Sequence, residues 1–175
     1  MNTIIHTTPL TFNRGQKLKN RLVMAPMQTQ QSFFNNEVSP TDLDYFRRRS
    51  GNLGAIIVGA EHVQPNGCTV IGAPGIYSDR FLPGLTRLAN AIKQGGTKAI
   101  AQIFHAGRMS PRASISGLDP VSASAIPAER PGAETPHALS DGEIIEMIAD
   151  FKKATIRAIE AGFDGVEIHG ANTYL

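Results

Sequence analysis

The chain has 175 residues, with 17 Lys or Arg against 15 Asp or Glu, a formal net charge of +2, 41% apolar residues and 18% charged ones. That composition excludes a disordered or collagen-like chain, and so small a charge, with no basic run beyond Arg47-Arg48-Arg49, excludes an electrostatic nucleic-acid surface. A single cysteine, Cys68, excludes an internal disulfide framework and a cysteine-rich metal site. Apolar runs such as Ala55-Ile56-Ile57-Val58 fall far short of the roughly 20 residues of a membrane span. The opening MNTIIHTTPL lacks the basic region and apolar stretch of a signal peptide, so a cytoplasmic protein is expected.

In chain order, residues 1–20 hold a small hairpin around Asn13-Arg14-Gly15. Arg21 to Pro26 then reads as a first buried parallel strand. Ser39-Pro40-Thr41-Asp42 supplies an N-cap serine, a proline at the first helical position and an acid behind it. The helix so opened stops before Gly51 with Arg47, Arg48 and Arg49 in its last turn, where the helix dipole favours cations. A second strand spans Gly54 to Ala60, a second helix runs from about Leu82 to Gln94, and a third strand covers Lys98 to Phe104.

Residues 105–139 form a proline-rich loop, long enough to be functional in a compact domain. Ser140-Asp141-Gly142-Glu143 is a capping box, and Ile144, Ile148, Phe151, Thr155, Ala158 and Ile159 predict the buried face of a third helix that closes at Gly162. Phe163 to His169 is the fourth strand. Alternation of this kind implies βαβ crossovers around a parallel sheet.

Parallel α/β folds place their chemistry at the C-terminal strand ends. Those ends are Met27-Gln28-Thr29-Gln30, Glu61-His62, Gln102 with His105-Ala106-Gly107-Arg108, and His169 through Tyr174, all predicted to converge on one mouth. Strand ends also turn polar simply on reaching solvent. No dinucleotide, P-loop, H-E-x-x-H or G-x-S-x-G signature occurs. His6, His62 and His137 read as surface or packing residues, while His105 either lines the mouth or holds the long loop.

His169, Asn172 and Tyr174 crowd together after the fourth strand. An imidazole and an amide can bind a carbonyl oxygen and stabilise charge developing there. A phenol nearby can deliver a proton. Such a set suits hydride addition to an electron-poor alkene; the alternative is a loop cap with Tyr174 packed as core.

Three segments carry a resemblance: Arg21-Leu22-Val23-Met24-Ala25-Pro26-Met27, Gln102 through Arg108, and Ala161 through Asn172. Together, and in this order, they resemble the old yellow enzyme family of NADH:flavin oxidoreductases across essentially the whole chain. The resemblance implies an α/β fold, the N-terminal half of a (β/α)8 TIM barrel with strands 1–4 parallel, as one partial flavin-binding domain over residues 1–175. It implies FMN as cofactor, NAD(P)H as reductant, and an α,β-unsaturated carbonyl or quinone-like small molecule as acceptor. Ala25, Pro26, Met27, Gln28, Ala60 and Gln102 are expected beside the flavin. His169 and Asn172 match the pair that holds the substrate carbonyl, with His169 also facing the flavin, and Tyr174 matches the proton donor.

Gln28 departs from the Thr or Cys that relatives commonly carry there. A complete barrel takes about 250 residues, so the residues in hand are expected to lack the family's later arginine and phosphate loops, to bind flavin weakly and to turn over poorly. Exposed half-barrel edges predict self-association, with no nucleic-acid or membrane partner. The competing readings are a non-catalytic half-barrel fragment that self-associates without flavin, and a barrel of unrelated chemistry.

Overall fold

A computed structural model describes residues 5–175. The hairpin pairs β1 (Leu10–Thr11) with β2 (Lys17–Leu18), antiparallel across the Asn13-Arg14-Gly15 turn. The main sheet has four parallel strands in the order β3 (Val23–Met24), β4 (Ala55–His62), β5 (Lys98–Phe104) and β8 (Gly165–Ile168). Helices α1 (Pro40–Arg49), α2 (Leu82–Lys93) and α3 (Asp141–Glu160) connect successive strands. Within the long loop, β6 (Val121–Ser122) and β7 (His137–Ala138) form a short parallel pair.

Strand order therefore follows chain order, as in the first half of a β/α barrel. Each strand sends alternate side chains to opposite faces. Ile56 and Val58 from β4, with Ala99, Ala101 and Ile103 from β5, enter the core beneath the helices, where Leu85, Leu88, Ile92, Ala154 and Ala158 meet them. The other face carries Gly59, Gln102 and Phe104.

Both capping boxes form. The Ser140 hydroxyl accepts from Glu143 N while the Glu143 carboxylate accepts from Ser140 N. Ser39 and Asp42 do the same for α1. Asp42 does more than cap. Its buried carboxylate also accepts from the Ser32 hydroxyl at 2.8 Å and the Thr29 hydroxyl at 3.0 Å, tying the segment after β3 to the start of α1.

Three sequence expectations are corrected. The first strand pairs over Val23 and Met24 alone, because its only sheet neighbour among the described residues is β4. The second strand runs on past Ala60 through Glu61 and His62, both fully buried, since β4 continues to pair Glu61 with Ile103 and His62 with Phe104. Helix α3 buries Met147, Ala154 and Ala158, whereas Ile144, Ile148 and Ile159 are exposed. Small residues let the helix approach the sheet closely, and the larger isoleucines lie on its flanks. As expected, the chain after α3 turns at Gly162, whose φ of +92° suits a residue without a Cβ.

Replacing Asp42 with Ala leaves the Ser39 amide and two hydroxyls without their acceptor. Urea denaturation should show a loss of about 3 kcal/mol, the scale of a buried charged hydrogen-bond network. The Thr29–Ser32 segment should lose amide protection in the same variant.

Candidate active site at the strand ends

The carboxyl ends of the four parallel strands frame a trough of about 180 Å³ lined by Pro26, Met27, Gln28, Gly59, Ala60, Gln102, Phe104, His169 and Tyr174. Enclosing ligand sites run to about 300–1,000 Å³, so these residues make one wall of a site. Of the residues expected from sequence, Pro26, Met27, Gln28, Ala60, Gln102, His169 and Tyr174 meet here. Ala25 and Asn172 are exposed and lie outside the lining. Asn172 sits on a turn at φ +57°.

Gly59 and Phe104 were not legible as site residues. A Cβ at Gly59 would come within 2.6 Å of the Pro26 Cβ and 2.7 Å of the Gln102 Oε1, so any side chain there would displace both trough residues.

Polar groups around the trough have defined orientations. Gln102 Nε2 donates to the Glu167 carboxylate at 2.7 Å, in register with it across β5 and β8. Gln28 Oε1 accepts from the Thr69 hydroxyl at 2.9 Å, and Gln28 Nε2 is buried without a hydrogen-bond partner among the described residues. The Ala171 amide donates to His169 Nδ1 at 3.3 Å. That contact leaves the imidazole proton on Nε2, which is then a donor. His169 and Tyr174 rings meet edge to face with centroids 5.0 Å apart, and Phe104 packs against both.

The His105-Ala106-Gly107-Arg108 turn serves this site without entering it. His105 is fully buried, its Nε2 3.1 Å from Asn66 Oδ1 and its Nδ1 accepting from the Gly107 amide at 3.0 Å, so it holds the long loop rather than lining the mouth. Its carbonyl accepts from the Leu175 amide at 3.2 Å. A Cβ on Gly107 would lie 2.9 Å from Leu175 N, so the glycine lets the segment bearing Tyr174 fold back this closely. Arg108 points away, toward the Pro127 carbonyl.

Glu61, expected at the mouth, lies inside the protein, and His62 beside it is the packing residue its isolation suggested, its ring against Tyr77. Burial pushes the Glu61 carboxyl well above the usual carboxylate range and lowers His62 to about 3; it lowers His105 to about 4. Of the other histidines, His6 is exposed, and His137 lies 3.0 Å from the Glu143 carboxylate at the start of α3. No cluster of His, Cys, Asp or Glu among the described residues could hold a metal ion. No described helix is long and apolar enough to cross a membrane.

This geometry is that of the first half of a β/α barrel whose strand ends converge on one trough. Residues 7–175 match the NADH:flavin oxidoreductase / NADH oxidase family, and the chain belongs to it. It is 51% identical to an NADH:acrylate oxidoreductase of Vibrio harveyi and 50% identical to an NADH:fumarate oxidoreductase of Klebsiella pneumoniae, in each case over 95% of this chain. The old yellow enzyme of Trypanosoma cruzi superposes with a TM-score of 0.89 at 33% identity over 98% of this chain. The chain spans 16% and 18% of the lengths of the two relatives and 52% of the solved structure.

The two buried histidines have a calculable consequence. Unfolded, each takes up a proton near pH 6.5; folded, His62 resists protonation until about pH 3. The unfolded chain thus binds more protons below pH 6.5, and stability falls as pH drops from there toward 4.5. Urea midpoints of the wild type and His62→Phe, compared at pH 7 and 4.5, should show the wild type losing about 2 kcal/mol more than the variant over that window.

Proposed function

We propose that residues 1–175 form a flavin-binding wall, a partial (β/α)8 domain, of an FMN-dependent oxidoreductase that moves hydride from NAD(P)H to an α,β-unsaturated carbonyl or similar acceptor. The observation that carries this reading is the convergence of Gln28, Gln102, His169 and Tyr174 on one trough whose floor, at Gly59, has no room for a side chain. When bound, FMN supplies a two-electron carrier between the nicotinamide and the alkene.

The chain's own residues hold and orient. Pro26, Met27 and Ala60, on backbone that Ala25 leads in, offer apolar contact to the ring, and the Gln28 and Gln102 amides offer hydrogen bonds at its edge. His169 Nε2–H donates to the acceptor's carbonyl oxygen, with Asn172 as the second donor. Charge that develops on that oxygen as hydride arrives at the β-carbon is stabilised by both donors. The Tyr174 hydroxyl, held beside His169, delivers a proton to the α-carbon.

Acrylate and fumarate, the acceptors in the two relatives' names, are likewise alkenes conjugated to a carbonyl group, and unsaturated carboxylates join enones and quinones as candidate substrates. A single, buried, unbridged cysteine accords with the cytoplasm, where the nicotinamide reductant is available. The exposed Ile144, Ile145 and Ile148 on α3 and Ile168 on β8 support association with further apolar surface, a second copy included.

Stopped-flow kinetics on the FMN-loaded protein with NADH and an enone tests the assignment. His169→Ala should slow reoxidation by the enone about 10²-fold or more. Tyr174→Phe should slow it about 10²-fold while leaving reduction by NADH unchanged. Equal rates in wild type and His169→Ala would overturn the reading.

A further inference from the structure

The two glutamines in the trough face opposite electrostatic demands. Gln102 and Glu167 sit side by side on β5 and β8, with Gln102 Nε2 2.7 Å from the Glu167 carboxylate. A carboxylate only accepts, so it must be met by the NH2 end of the amide. The carbonyl end of Gln102 is thereby turned the other way, and its Oε1 lies close to Gly59 on the trough floor. Gln28 is arranged in reverse. Its Oε1 takes the proton of the Thr69 hydroxyl, and its Nε2 stays buried, facing no acceptor among the described residues.

We infer that Glu167 and Thr69, neither of which lines the trough, are positioning residues that fix the polarity of its two amides: Gln102 as an acceptor, Gln28 as a donor. This inference rests on the flavin reading of the site and adds to it the residues that set its hydrogen-bonding pattern. A uracil-like ring edge, which alternates N–H with C=O, requires both senses. An amide free to rotate by 180° would present the right group only part of the time. A donor held toward such a ring also favours its more electron-rich form, so Thr69 bears on reduction potential as well as affinity.

The test combines two readouts on the purified protein. Without flavin, the Gln102 side-chain amide should give a downfield, slowly exchanging proton signal in the wild type and in Thr69→Val. That signal should be lost in Glu167→Leu. With FMN, fluorescence titration should show Kd raised about tenfold by Glu167→Leu and by Thr69→Val, the scale of one charge-assisted or buried hydrogen bond. Glu167→Gln, whose carbonyl can still accept, should raise it about threefold, and Thr69→Ser should restore wild-type binding.

In a Gln102→Leu background, Glu167→Leu should change Kd no further, because Glu167 acts through Gln102. Thr69→Val should also lower the two-electron midpoint potential by about 30 mV, the equivalent of a tenfold loss of preference for reduced flavin. Glu167→Gln and Thr69→Val keep the shape of the original side chains and serve even where Glu167→Leu does not fold. Unchanged Kd in Glu167→Gln and Thr69→Val together with an unchanged potential in Thr69→Val, with wild-type FMN binding intact, would overturn the inference alone. A wild type that takes up no FMN would overturn the flavin reading itself.

Discussion

Register along β5 is the constraint from which the rest of the site follows. This strand is hydrogen-bonded to β4 on one side and β8 on the other, and its residues alternate between the helical core and the trough. Ala99, Ala101 and Ile103 go inward to α2 and α3, leaving Gln102 and Phe104 on the opposite face. A slip of one residue would exchange the two sets, burying an amide among aliphatic side chains and exposing isoleucine at the mouth. The same register sets Gln102 beside Glu167 and brings β8 to the height at which His169 enters the trough. Core packing and site geometry are thus fixed by a single choice of pairing.

Membership of the NADH:flavin oxidoreductase / NADH oxidase family gives these strand ends their meaning. What the chain contributes is mostly orientation. His169 is held by the Ala171 amide so that its free nitrogen carries a proton, Tyr174 is packed by Phe104, and each glutamine amide has one end engaged. Little charge lies in the trough lining itself. Glu61 and His62, next in the chain after Ala60, are withdrawn into the interior. Burial opposes ionisation of both, which keeps them from adding a fixed charge beside the trough.

Much of this was legible in the sequence, and the missing parts share a physical origin. The N-cap at Ser39, the capping box at Ser140, the closing Gly162 and the hairpin all depend on residues within a few positions of one another, and the strand order follows from the alternation of the elements they bound. The trough residues came from strand ends and from resemblance. Gly59 remained hidden because the reason for its size lies in Pro26, just past β3, and Gln102, on β5. Thr69 and Glu167 were hidden likewise, being 41 and 65 residues from the glutamines they hold. The buried face of α3 was only partly legible for a different reason: Ala158 is buried as expected, but periodicity favours the bulkiest apolar residues, whereas close packing on a sheet favours small ones such as Ala154.

Gly107 carries a consequence for how such a chain can change over time. Its missing side chain makes room for Leu175, and Leu175 adjoins the tyrosine assigned to proton delivery. Mutational tolerance at Gly107 is therefore limited twice, by its own φ of +60° and by a segment 68 positions away (175 − 107). Where a lineage dispenses with the tyrosine, the glycine is released from the second demand but still held by the first. The two positions form one inherited unit although no bond joins their side chains.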